Sequence, residues 1–331
     1  MSYLPPSSSP SHAPEPLESR WLQRLVKSFF TSSRIIETRE LKGHLHSVYL
    51  VELSNGVELT LKMNTRRPTS LMRRERCALE TEAKIIGFLS TRGFPFAPRL
   101  LRFQPQNGEG RNASYLLRRS LRGTPLSELK PTFLTDEDRK EIDRQLGSAV
   151  KLIADNIAHS FGTAEAVSAG HGGGSWKHAF MLLLDSLLFE AENKLITLPH
   201  MEIRQQTVRL MRALDDVLKP RLVILDVAKP SHIIIDPSTK RISGFTDFGN
   251  AMWGDVLLSD AFENPSPAFL QGYGFDPTKE HSARIRMLLY SCYRCVCRIM
   301  KQYYRDRDDE AELAARRQLT ETLALMATST C

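Results

Sequence analysis

Within RLVILDVAKPSHIIIDPSTKRISGFTDFGNAMWGD, residues 221–255, two aspartates stand at the ends of apolar runs: Asp226 after the first and Asp247 after the third. A carboxylate at such a place can accept a proton from a hydroxyl, or offer hard oxygen to a cation such as Mg²⁺. Between them, in the polar loop joining the first two runs, lies His232. Far upstream, Lys62 sits inside the strand-like run LTLKM, where an inward ammonium could hold phosphate oxygens. A helical segment after it carries Glu80 and Glu82, either of which could fix that lysine through a charge-assisted hydrogen bond. Such parts suit phosphoryl transfer, whose loose transition state needs positioning and charge neutralisation more than covalent help. The bland alternative is that Asp226 caps a turn, Asp-Phe-Gly is a turn signal, and the lysine and glutamate are unrelated surface charges.

Groups so far apart in sequence need a scaffold, and the hydrophobic pattern predicts one in two halves. From about Arg34 to Leu121 the runs RIIETREL, SVYLVEL, VELTLKM and SYLLR read as strands, with Ser54-Asn55-Gly56 as a hairpin turn. One helix crosses them through RRERCALETEAKIIGFL, which makes a small antiparallel sheet with a single helix. Beyond RGTPLSEL the period becomes helical: Ile142, Leu146, Ile153 and Ile157 share one face, and Trp176, Phe180, Leu184, Leu187 and Ala191 another. The Gly-rich AGHGGGSW between those helices reads as a loop rather than a lid. The fold class is therefore α+β, with expected boundaries of a leader over 1–19, a sheet half over 20–121, a mainly helical half over 122–305 and a C-terminal helix or tail over 306–331.

Composition narrows the class. With 331 residues, 41% hydrophobic and 25% charged, the chain can bury an ample core as an ordinary soluble globular protein. The apolar stretch AFMLLLDSLLF is broken by Asp185 and falls short of the roughly 20 residues of a membrane span, so no membrane partner is expected. MSYLPPSSSPSHAPEPLES lacks the apolar core of a secretory signal and reads as a disordered leader. Five cysteines, an odd number with three in CYRCVC, suit a reducing compartment and a cytoplasmic location. Cys292, Cys295 and Cys297 could be read as zinc ligands, but they lie in a helical run that makes them small apolar core residues. The net charge of +7 fits a polyphosphate ligand; the basic RRPTSLMRRER shows no aromatic interleaving, so no nucleic acid is expected.

The order of a sheet half with a lysine, a helix with a glutamate, a hinge, a helical half and then the 221–255 stretch resembles the aminoglycoside phosphotransferase and choline kinase branch of the protein-kinase-like fold. The resemblance covers about residues 33 to 300 and is nearest to fungal members through the runs PRLV, IIIDPSTKRISG and DFGNAMWGDVLL. It implies a two-lobed molecule that phosphorylates a hydroxyl of a small molecule with ATP and Mg²⁺, in a family with many members in secondary metabolism. Nucleotide and small-molecule acceptor are then the partners, and the chain is expected as a monomer or weak homo-oligomer. A protein kinase is disfavoured, because no activation segment ends in Ala-Pro-Glu.

Residue by residue, the resemblance assigns the phosphate-holding lysine to Lys62 and prefers Glu82 to Glu80 as its partner, since EAKIIGFL is closer to the family helix. The phosphate-covering turn falls between RELKG and SVYLV, with Gly43 followed by His44 and His46. The hinge whose backbone would meet the base runs from Leu117 to Leu121. Asp247 falls on the Mg²⁺ ligand, while His232 stands where most members have a metal-binding Asn, a softer ligand for Mg²⁺ than an amide oxygen. The catalytic base falls on Asp226 if the alignment starts from PRLV, with Ile224 and Leu225 replacing the family's His and Gly. Started from Pro230-Ser231-His232, one extra residue shifts that position to Val227. A bulged loop with Asp226 as base is preferred, because a carboxylate ending a buried strand is costly without partners or a role. The other class is a kinase fold that has lost phosphotransfer and binds a metabolite, or runs another reaction, in the cleft. Acidic Asp185, Glu190 and Glu192 could meet a cationic acceptor, but their helical spacing reads as a solvated face.

Overall fold

The computed structural model describes residues 19–41, 43, 45–64, 71–105, 114–305 and 307–330; the Pro/Ser-rich leader before Ser19 and His44 lie outside the described residues. Antiparallel strands β1 (Ile35–Leu41), β2 (Ser47–Leu53), β3 (Glu58–Met63), β4 (Leu100–Gln104) and β5 (Tyr115–Arg119) form a sheet in the order β1-β2-β3-β5-β4. The β2–β3 hairpin turns at Gly56, whose φ of 75° favours a residue without Cβ, and the Asn55 side chain accepts from the Val57 amide.

Strand periodicity sorts this sheet's side chains onto two faces. Leu59, Leu61, Tyr115 and Leu117 pack with Val51 and Leu53 beneath a helix not expected from the sequence, α1 (Ser19–Lys27), through Leu22, Leu25 and Val26. On the other face Leu116 meets Leu79 and Ala83 of the expected crossing helix, α2 (Ala78–Thr91). One register step thus decides that Leu117 faces α1 while its neighbours face the cleft.

The second lobe begins at the short strand β6 (Thr124–Pro125) and is built on α3 (Asp136–Ala154), whose Thr135 and Asp138 form a capping box. Strand β7 (Gly162–Thr163), helix α4 (Ala164–Ser168), α5 (Trp176–Asn193) and α6 (His200–Leu210) follow. Ile142, Leu146 and Ile153 are buried as the pattern predicts, but Ile157 is 46% exposed: α3 ends at Ala154, and Ile157 pairs with Arg221 instead. AGHGGGSW is a tethered loop, since Phe161 and Gly173 exchange backbone hydrogen bonds at 2.9 and 2.7 Å.

The 221–255 stretch becomes four short strands: β8 (Arg221–Ile224), β9 (Ile233–Asp236), β10 (Arg241–Phe245) and β11 (Ala251–Gly254). They divide between two small sheets, β10-β9-β6 and β7-β11-β8. Helices α7 (Pro267–Tyr273), α8 (His281–Lys301) and α9 (Asp309–Thr328) complete the lobe. In α8, Cys292, Cys295 and Cys297 are buried free thiols of the core.

The Trp253-Gly254-Asp255 run is a structural joint. Asp255 Oδ2 accepts from Arg286 Nε and Tyr290 Oη, both at 2.8 Å, and Tyr290 Oη in turn accepts from Trp176 Nε1 at 2.6 Å. A Cβ on Gly254 would collide with the Trp176 ring, so glycine is required where the indole crosses the strand. Among the described residues no helix is long and apolar enough to cross a membrane.

Candidate active site

The parity of β3 that buries Leu59 and Leu61 under α1 turns Lys62 toward α2. Its Nζ donates to Glu82 Oε2 at 2.7 Å, to Oε1 at 2.9 Å and to the Thr246 carbonyl at 3.2 Å, with Asp247 Oδ2 at 3.8 Å. Lys62 and Glu82 are 6% and 1% exposed, so each is tolerated only because the other is there. Burial pushes the Glu82 carboxyl up and Lys62 pulls it back down. Glu80, one turn-face away, pairs with Lys84 on the surface at 2.8 Å, which settles the geometric partner as Glu82.

The sequence reading passed over Arg118, which shares this centre. It is 3% exposed, donates Nη2 to the Thr246 carbonyl at 3.3 Å and holds Nε 3.9 Å from Glu82 Oε1. Burial pushes its guanidinium pKa down, against Glu82 and then Asp247. The signal was the same alternation: with Tyr115 and Leu117 outward on β5, Leu116 and Arg118 must point inward.

Of the expected hinge residues, Leu117 is interior to the sheet: its backbone registers with Leu61 on one side and Arg102 on the other, and its side chain is fully buried beneath α1. That removes Leu117 from contact with a base. Leu121 follows the strand, with its side chain against Gly244 of β10, and no backbone hydrogen bond engages it among the described residues. In the expected phosphate-covering turn, a Cβ on Gly43 would collide with the His46 carbonyl oxygen, so the tight approach requires glycine. His46 itself is 8% exposed with neither ring nitrogen hydrogen-bonded. Burial, then the charge of Lys62, lowers its pKa to about 4, so the ring is neutral near pH 7.

Asp247 follows β10, and Phe248 beside it is fully buried, which anchors the turn. Asp247 Oδ1 accepts from the Gly249 amide at 2.9 Å, and its side chain keeps 33% exposure. Burial alone would raise its pKa; Lys62, and then His232, hold it well below the ordinary carboxylate range. An ionised oxygen ligand opening onto the cleft has the hardness a divalent cation such as Mg²⁺ requires. Among the described residues no three His, Cys, Asp or Glu side chains form a closed cage. A Mg²⁺ delivered on phosphates needs only one or two protein carboxylates, so the donor set fits.

In the loop after β8, burial separates the two candidate positions. Val227 is 3% exposed in the core, whereas Asp226 lines a cavity of about 590 Å³. Asp226 Oδ2 accepts from Asn250 Nδ2 at 2.8 Å, while Oδ1 is buried without a partner. His232 Nδ1 donates to the Asp226 carbonyl at 3.0 Å. The extra residue is braced: the Ala228 amide donates to Asp260 Oδ1 at 3.0 Å. Neither Asn250 nor Asp260 could be assigned these bonds from sequence, because the contacts cross 24 and 32 positions. Ile224, where the family's His is expected, is a core residue of β8, and Leu225 is half-buried beside the cavity.

Asp260 sits near Asp226 in the same cavity; burial first, and then that neighbouring carboxylate, push its pKa up to about 7. Behind Arg74 and Tyr293 lies a second space of about 250 Å³, bordered by Glu190 and Asn250. Glu190 accepts from the Arg73 amide at 2.8 Å and Tyr304 Oη at 2.7 Å, and Glu192 from Arg204 at 2.9 Å, so these helix carboxylates are already paired.

No curated protein sequence matches the chain. Solved structures do. A thermostable mutant of aminoglycoside phosphotransferase APH(4)-Ia, apo form, is similar at 15% identity, with a TM-score of 0.65 over 93% of this chain and 100% of that one. A ternary complex of that enzyme with AMP-PNP and hygromycin B gives 0.64 at 15% identity over 93% and 99%. The GDP complex of wild-type aminoglycoside 2'-phosphotransferase-IIIa gives 0.60 at 16% identity over 93% and 99%. At such identity the likeness shows the two-lobed, protein-kinase-like fold. The model of the phosphotransferase enzyme family matches residues 37–286, a span that contains the lysine, the glutamate and both loop aspartates, and the chain belongs to that family.

Proposed function

We propose that this phosphotransferase moves the γ-phosphoryl group of ATP to a hydroxyl of a small molecule held in the cavity beside Asp226. The observation that carries the reading is the convergence of Lys62, Glu82 and Asp247 across the cleft, next to an Asp226 whose Oδ1 is buried and unpartnered. The solved relatives carrying AMP-PNP or GDP support a nucleotide in the cleft. In this reading residues 20–121 form the nucleotide side and 122–305 the catalytic and acceptor side. The location proposed is the cytoplasm, and the working form a monomer or weak homo-oligomer.

Each residue then has a task. Lys62, held by Glu82, binds phosphate oxygens; the Gly43 turn and the free ring nitrogens of His46 cover them; the Leu121 backbone meets the base. Asp247 holds Mg²⁺, with His232 as the second side chain toward it. When bound, Mg²⁺ supplies neutralisation of the charge that develops on the transferring phosphoryl group. Asp226, kept in place by Asn250, takes the proton from the attacking hydroxyl.

Ile224 and Leu225 favour one other reading, a kinase fold without phosphotransfer that binds a metabolite, or runs a different reaction, in the cleft. A thermal-shift titration with ATP and Mg²⁺ separates the first requirement from the second. Stabilisation that saturates with ATP and needs Mg²⁺ is expected; its absence defeats the phosphotransferase reading, and stabilisation without ADP production against any alcohol favours the second.

A further inference from the structure

Cations without a direct ion pair among the described residues line the cavity next to Asp226. Arg74 reaches over from the segment before α2 and donates only to neutral groups: Tyr293 Oη at 3.1 Å, Cys297 Sγ at 3.2 Å and Asn250 Oδ1 at 3.4 Å. Lys301, at the end of α8, makes no hydrogen bond or ion pair through its ammonium among the described residues, and Lys229 makes none through its own. Burial, and then the charge of Arg74, lower the pKa of Lys301, against the nearby charges of Asp226 and Glu75.

The acidic residues of the same wall are differently placed. Glu263 is taken by Arg298, through two bonds at 3.0 and 2.5 Å, and by Arg294 Nε at 3.7 Å. Asp143 accepts from Ser266 Oγ at 2.6 Å, and Asp260 is used on the Ala228 amide. Against Arg74, Lys229 and Lys301, the carboxylates of this wall without a lysine or arginine ion pair among the described residues are Asp143, Asp226 and Asp260, and the Asp260 pKa is pushed up to about 7, so below that pH unpaired positive charge exceeds unpaired negative charge. Two adjacent, part-desolvated cations are unfavourable alone and are relieved by an anion between them. A polycationic acceptor would add to the repulsion.

We propose, on the basis of the phosphotransferase reading, that the acceptor is an anionic polyhydroxy compound whose carboxylate or phosphate group sits between Arg74 and Lys301 while a hydroxyl meets Asp226. This sets the chain apart from the relatives solved with hygromycin B or kanamycin. An anion held by Arg and Lys charges at a distance from the reacting hydroxyl also gives orientation, since only one end of the molecule then reaches Asp226.

The test is a thermal-shift titration of the full chain with three probes: D-gluconate for a carboxylate, D-glucose 6-phosphate for a phosphate ester, and kanamycin for a polycation. The stronger of the two anions should stabilise the wild type, identify its class, and bind at least about tenfold more weakly to Lys301→Gln and Arg74→Gln. Kanamycin should give no saturable shift. Arg74→Gln removes packing as well as charge, so Lys301→Gln, checked for cooperative melting and an unchanged far-ultraviolet spectrum, decides if the arginine variant fails to fold. Stabilisation by kanamycin equal to that by the anions overturns the proposal, as does no anion binding at millimolar concentration, or anion binding unchanged in Lys301→Gln, which would put the anion at the nucleotide site. The ATP and Mg²⁺ titration is read separately, so a chain that binds nucleotide but prefers kanamycin loses this proposal alone.

Discussion

Asp226 and Asp247 are both acidic residues closing short strands, yet their surroundings separate them. Asp247 is held ionised by the neighbouring Lys62 and opens onto the cleft, as a cation ligand must. Asp226 has one oxygen fixed by Asn250 and the other unpartnered. If Asp226 is the base, Asp226→Asn lowers the rate of phosphoryl transfer to the true acceptor by about 10² to 10⁴-fold while ATP affinity stays nearly constant, because a base acts on the acceptor's proton. Single-turnover kinetics with separate nucleotide titration measure both; a matching loss of ATP affinity would place Asp226 at the metal instead. Asp247→Asn is expected to abolish Mg²⁺-dependent stabilisation by ATP while the apo protein melts as before, read by thermal shift with and without the metal.

At the scale of elements, one helix face and one strand parity make the centre. On α2, Glu82 faces β3 and Glu80 faces water, so charge removal at the two positions has unequal effects. Glu82→Gln should weaken nucleotide binding or turnover at least about tenfold, with Lys62→Met lower still, whereas Glu80→Gln changes either by less than about twofold, as an exposed i,i+4 pair contributes little. Steady-state kinetics of the three variants check the ranking. Lys62 was legible from its run as a lysine inside an apolar strand, whereas the local pattern left Glu80 and Glu82 open and only the resemblance of EAKIIGFL to the family helix preferred Glu82. Leu117 differs for a non-local reason: its strand sits between β3 and β4, and the interior place in the sheet engages a backbone that an edge strand would leave free.

For the whole molecule, Asp260 links the atypical loop to pH. Its carboxyl ionises near 3.8 as an ordinary aspartate and near about 7 in the fold, where burial and Asp226 favour the protonated form. Between pH 4 and pH 7 the folded chain therefore holds a proton that the unfolded chain has lost, and this group's contribution to stability falls as pH rises. Asp260→Asn keeps an acceptor for the Ala228 amide and removes the charge. The difference in unfolding free energy, mutant minus wild type, should climb from near zero at pH 4 to on the order of 2 to 4 kcal/mol above pH 7. Urea unfolding at a series of pH values measures that difference, and a flat profile would show that Asp260 is ionised in the fold.

The sequence by itself determined the α+β class, the hairpin at Gly56, the buried face of α5 and the core cysteines of α8. Each of these depends on residues within a turn or a strand of one another, where periodicity and turn chemistry act. Tertiary structure alone decided the rest. Arg118 joined the charged centre because β5 lies beside β3, and α1 covered the sheet because an apolar face there needed cover. Asp226 rather than Val227 reached the cavity because the core accepts a valine and excludes a carboxylate. Arg74 came to line the same cavity as Lys301. A charge's partner is set by distance in space, and no spacing along the chain encodes which distant carboxylate, amide or cation the packed elements bring within a few ångströms.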